Sequence, residues 1–106
     1  ITSVSPNMLL VYGLQGRVFR SADQGDTWQQ VPTGVTSGIN DAVLLDSGHV
    51  IAVGNAGVIL NARDSGLNFI PETRSDRQSI VAVQSLPNGG AVTVGEGGVK
   101  VLPPGK

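Results

Sequence analysis

Val50-Ile51-Ala52-Val53-Gly54-Asn55-Ala56-Gly57 decides the fold, because the chain repeats its pattern. A largely apolar run followed by Gly-x-x-Gly occurs as Leu9-Leu10-Val11-Tyr12-Gly13-Leu14-Gln15-Gly16 and again as Ala91-Val92-Thr93-Val94-Gly95-Glu96-Gly97-Gly98. Gly16, Gly57 and Gly98 stand at intervals of 41 residues, and so do Gly13, Gly54 and Gly95. The middle repeat reads as four short strands. Strand A covers residues 39–45, then Asp46-Ser47-Gly48 turns the chain; strand B covers 49–53, and Asn55-Ala56-Gly57 turns it again. Strand C covers 58–62, Asp64-Ser65-Gly66 makes the next turn, and strand D covers 67–70, closed by Pro71. Strands of about five residues between Gly turns are what hairpin-connected antiparallel sheet requires.

Strand B is apolar at consecutive positions, as a strand is when both its faces are buried. A period near 40 built from short strands indicates β-propeller blades, whose sheets stack face to face. A two-layer sandwich has no need of a fixed 41-residue register. The expected architecture is all-β: an incomplete propeller of about 2.5 four-stranded antiparallel blades. Blade one would cover residues 1–34, blade two 35–75, and blade three, lacking its outer strand, 76–106. No long stretch carries a helical period with caps.

Composition narrows the chemistry. The 106 residues contain no Cys, which excludes disulfides, thiolate metal sites and Cys nucleophiles. A formal net charge of −1 gives no footprint for nucleic acid. No apolar run approaches the length of a transmembrane helix. His49 stands beside Asp46 and Ser47, but neighbours in a tight turn cannot align nucleophile, base and orienter in series. Each Gly-x-x-Gly is followed by a strand rather than a helix, so these are hairpin turns and not phosphate loops. No catalytic, cofactor or metal site is expected.

Between strands C and D of the first repeat stands Ser21-Ala22-Asp23-Gln24-Gly25-Asp26-Thr27-Trp28. It resembles the Asp-box, or BNR repeat, Ser/Thr-x-Asp-x-Gly-x-Thr-Trp, through Ser21, Asp23, Gly25, Thr27 and Trp28. A second copy, 41 residues on, keeps Asp64, Gly66 and the aromatic Phe69, with Ala62 and Asn68 in place of Ser and Thr. The carboxylate is expected to accept hydrogen bonds from the turn's own N–H groups. Trp28 and Phe69 are expected to begin strand D and cover the blade's outer edge. Asp23 and Asp26 are too few carboxylates for a dedicated Ca²⁺ site.

Taken in series, these elements are similar to the propellers of the photosystem II stability/assembly-factor-like family, whose Gly-x-x-Gly to Thr-Trp string residues 13–28 follow closely. That resemblance implies a non-enzymatic, exported (periplasmic or extracellular) protein that binds a protein partner or assists membrane-complex assembly. Sialidases also carry Asp-boxes, so the alternative is a fragment of a sialidase-like glycoside hydrolase. Sialidases use a Tyr–Glu nucleophile pair, and the single Tyr here, Tyr12, lies inside a strand with a buried pattern. If there is a binding surface, it is expected where the B–C and D–A connections share one face, at Gln15, Asn55, Arg74, Arg77 and Glu96. An Arg pair there would suit a carboxylate or an acidic peptide. The chain is expected to be the C-terminal part of a longer protein. Its blade faces and the unpaired edge at 99–102 would meet the rest of the parent propeller or copies of the chain.

Overall fold

The computed structural model describes residues 2–5, 8–45, 49–63 and 68–103. The Asp46-Ser47-Gly48 turn and residues 64–67, with Asp64 and Gly66, lie outside the described residues. Among the described residues, eleven strands form three antiparallel sheets, each made from consecutive segments. The first holds β1 (Thr2–Ser5), β2 (Met8–Tyr12), β3 (Val18–Ser21) and β4 (Gln29–Val31). The second holds β5 (Ile39–Leu44), β6 (Val50–Gly54), β7 (Val58–Ala62) and β8 (Ile70–Thr73). The third holds β9 (Ile80–Ser85), β10 (Ala91–Gly95) and β11 (Gly98–Leu102).

The middle sheet has a core on each side. Strand alternation sends Val50 and Ala52 of β6, with Val58 and Leu60 of β7, toward the first sheet. There they meet Leu10 and Val18. Ile51 and Val53 of β6 and Ile59 of β7 go the other way, toward Ile80, Val83 and Ala91 of the third sheet. The consecutive apolar residues of β6 are buried for this reason.

The outer strands differ most from expectation. β4 begins at Gln29, after Trp28, and β8 runs from Ile70 through Pro71 rather than stopping there. β8 is an edge strand paired only with β7, so the missing N–H of Pro71 can face away from the ladder.

The third Gly-x-x-Gly also departs from the other two. Leu14–Gly16 and Asn55–Gly57 form single 3-10 turns with Gln15 and Ala56 left-handed (φ 59° and 57°). These turns leave Tyr12 opposite Val18 and Val53 opposite Ile59. In the third sheet Gly95 pairs directly with Gly98 across a two-residue turn, and Val94 lies opposite Val99. Gly97-Gly98 permits the tighter hairpin, with Gly98 at φ 87°. β11 is therefore displaced by one residue against the repeat, which reverses its faces. Lys100 turns toward the second sheet's side, and Val99 and Val101 point outward with Val92 and Val94.

Candidate functional site

The turns after β2, β6 and β10 lie along one edge, where they meet the segments linking successive sheets. The same backbone bond recurs in the second and third sheets, continuing the β5–β6 and β9–β10 pairings past their ends: Asn55 N–H to the Gly38 carbonyl (2.9 Å), and Glu96 N–H to the Ser79 carbonyl (3.0 Å). Gly54 and Gly95 carry no side chain because a Cβ there would run into those same two carbonyls.

Asn55, Glu96 and the segment from Arg74 to Ser79 converge at the second junction. Ser79 N–H donates to the Glu96 carboxylate (2.7 Å), and the Ser79 hydroxyl accepts from Ala56 N–H (3.3 Å). Arg74 N–H donates to the Gly57 carbonyl, and Arg77 N–H to the Arg74 carbonyl. The turn closed in this way holds Arg77 left-handed (φ 53°) and exposed. Asp76 accepts from Gln78 N–H (3.0 Å) and from Lys100 Nζ (2.9 Å), and these bonds, that of Gln78 first, lower its pKa.

The two arginines are not equivalent. Arg74 turns its guanidinium onto the hydroxyl of Thr93 (2.7 Å), a fully buried residue of β10, and ties the linker to the third sheet. Arg77 remains exposed at the rim. Gln15 lies at the first junction instead. It lines an open groove with Thr33, Gly34 and Val35, where the Thr33 hydroxyl donates to the Gly16 carbonyl (2.8 Å).

Ser21–Trp28 closes on itself. The Asp23 carboxylate accepts from the Ser21 hydroxyl (2.8 Å), the Thr27 N–H (2.9 Å) and the Thr27 hydroxyl. Those bonds, Thr27's first, hold its pKa down at about 2. Ser21, itself buried, also accepts from Gly25 N–H (2.8 Å), and the Trp28 indole donates to the Gly25 carbonyl (3.0 Å). Every one of these partners is internal to the turn. No group of three or more potential metal-ligating side chains occurs among the described residues. The His49 ring is buried against the Asn61 side chain (2.9 Å), far along the strand from the rim.

Two residues were missed in the sequence. Asn40 bridges the Asn55 side chain (3.0 Å) and the Ile80 carbonyl (2.8 Å). Asp41 accepts from Ala42 N–H (2.9 Å) and from Val83 N–H of β9 (2.9 Å), with the Tyr12 hydroxyl at 3.4 Å. It thereby links all three sheets. The signal was present: Asn40-Asp41 interrupts an otherwise apolar strand, whereas the next repeat has Val81-Ala82 there.

Three antiparallel sheets, packed through two apolar cores and presenting their turns along one edge, give an all-β fold of β-propeller type. A solved structure described as YCF48 bound to D1 peptide matches it at a TM-score of 0.80, with 16% sequence identity over 95% of this chain. The match spans 34% of that chain, so the present one corresponds to about a third of its length, and the likeness is one of fold. No family model matches the chain, and no curated protein matches it.

Proposed function

We propose that the chain is a set of propeller blades serving as a non-enzymatic scaffold, and that it binds an extended acidic or carboxylate-bearing segment of a protein partner along its turn-lined edge. Arg77 carries this reading. It is an exposed cation held on a hydrogen-bonded rim against Gly57, whereas Arg74 is engaged with Thr93 and Lys100 with Asp76. A guanidinium presents paired donors that fit a carboxylate. The propeller likeness to a chain described as bound to a peptide supports a peptide as the ligand class. On this reading residues 21–28 are an Asp-box that braces the blade. A role in assembling membrane complexes, outside the cytoplasm, follows from the family resemblance; cell fractionation of the source organism tests the location.

Fluorescence anisotropy with labelled acidic and basic peptides tests the binding. Acidic peptides should bind, and affinity should fall as salt rises. Arg77→Ala should weaken binding about tenfold, the order expected for a lost charge-assisted pair. Arg63→Ala, at the opposite end of β7, should leave it unchanged. Equal binding of acidic and basic peptides would sink the proposal.

A further inference from the structure

Asn88-Gly89 stands in the turn between β9 and β10, and nowhere else in the chain does Gly follow Asn. Two backbone bonds close this hairpin: Leu86 N–H donates to the Gly90 carbonyl (2.9 Å), and Gly89 N–H donates to the Leu86 carbonyl (3.1 Å). Gly89 is left-handed (φ 86°), and Pro87 and Asn88 are exposed at the tip. The Asn88 side chain folds back over the turn, where its Oδ1 accepts from Gly90 N–H (2.9 Å). That donor draws charge from Cγ, and it sits on the oxygen that would become negative if a nucleophile added to Cγ. The nitrogen of the next residue is the nucleophile that closes a five-membered ring on Cγ, and Gly89 has no Cβ to obstruct it. The bond from Gly89 N–H to Leu86 must open first, as bonds in exposed turns do most readily. Asn40, Asn55 and Asn61 are held differently. Their side chains are bonded to other segments, and each precedes a residue with a Cβ.

We propose that Asn88 is a site of spontaneous modification, where the folded chain converts the side-chain amide to a carboxylate through a succinimide. Hydroxide takes the Gly89 amide proton, and the nitrogen adds to Cγ, placing the negative charge on Oδ1. Collapse of this adduct breaks the bond from Cγ to the side-chain nitrogen, which takes a proton and leaves as ammonia. Water then opens the ring. Attack at Cγ breaks its new bond to Gly89 N and yields Asp. Attack at the main-chain carbonyl of residue 88 breaks the original peptide bond and yields isoaspartate, with the main chain rerouted through Cγ. Either product adds one negative charge to a chain of formal net charge −1. The isoaspartyl product also lengthens the main chain by one CH2, so the two bonds that close the hairpin no longer fit its spacing. The turn lies beyond the pairing of Ser85 with Ala91, whereas Glu96 and the Arg77 rim lie beyond that of Ile80 with Gly95. Peptide binding at Arg77 should therefore be unaffected, and failure of one proposal is distinguishable from failure of the other.

Mass spectrometry of the folded chain after incubation at mildly alkaline pH tests this, against a sample that was not incubated. Trypsin cleavage after Arg77 and Lys100 releases residues 78–100, whose single Asn is Asn88. That segment should give way to two species of equal mass, heavier by the difference between an acid and an amide, with fragment ions placing the change at residue 88. Asn88→Asp supplies the reference for one species, and the other is the isoaspartyl form. Their rate of formation should rise in proportion to hydroxide concentration. Asn88→Gln, which would have to close a six-membered ring, should form neither over the same time. The proposal is overturned if the folded chain leaves the segment unchanged, or if conversion occurs only after unfolding in urea. Asp without isoaspartate would also overturn it, because direct hydrolysis of the amide gives Asp alone.

Discussion

Asp23 concentrates most of the strong local bonding of the first sheet in one exposed carboxylate. Its acceptors are filled by Thr27 and Ser21, so the ionised form is favoured in the folded chain and its pKa falls from 3.8 to about 2. A carboxyl whose folded pKa is depressed stabilises the fold above its unfolded pKa, and that stabilisation disappears as pH falls through the folded value. The effect should be complete above about pH 4 and lost toward pH 2. Asp23→Asn keeps the shape but removes the charge. Urea midpoints measured from pH 2 to 5 should decline less steeply for this variant than for the parent chain. Parallel curves would mean that the turn does not depend on the ionised carboxylate.

At the scale of elements, the turns govern how the sheets join. Gly57 is left-handed (φ 75°), and a Cβ there would crowd the Arg77 Cα at 3.1 Å and the Arg74 Cβ at 3.2 Å. Gly57→Ala should therefore destabilise by about 1–3 kcal/mol. Gly13 is extended, and a Cβ on it meets nothing within 4 Å, so Gly13→Ala should stay within about 0.5 kcal/mol of the parent. Equal denaturant midpoints for the two variants would refute this account of the motif. Strand identity was legible in the sequence because Gly turns punctuate runs whose burial the 41-residue period repeats. The register of β11 was not, because Gly95-Glu96-Gly97-Gly98 satisfies the motif while allowing a shorter hairpin. Of the proposed site, the placing of Asn55, Arg77 and Glu96 in turns was legible from the repeat. The engagement of Arg74 with Thr93 depends on side-chain reach across sheets, which spacing along a chain does not encode.

The whole molecule depends on its middle sheet, the shared wall of both cores. Repeat proteins can unfold piecewise, because each unit touches only its neighbours. Here Asp41 adds a bond that crosses the stack, reaching from β5 to Val83 N–H and lying near the Tyr12 hydroxyl. The buried residue Ile59 faces only the third sheet, whereas Trp28 belongs to the outward side of the first. Ile59→Ala should cost about 2–5 kcal/mol through lost burial and the cavity left behind. If the stack unfolds as one unit, Trp28 fluorescence should record that full loss although the mutation lies two faces away. Amide exchange in β2 and β10 should then rise by the same free energy. Should Trp28 report an unchanged midpoint while β10 alone loses protection, the first two sheets fold independently of the third. The link through Asp41 would then be too weak to couple them.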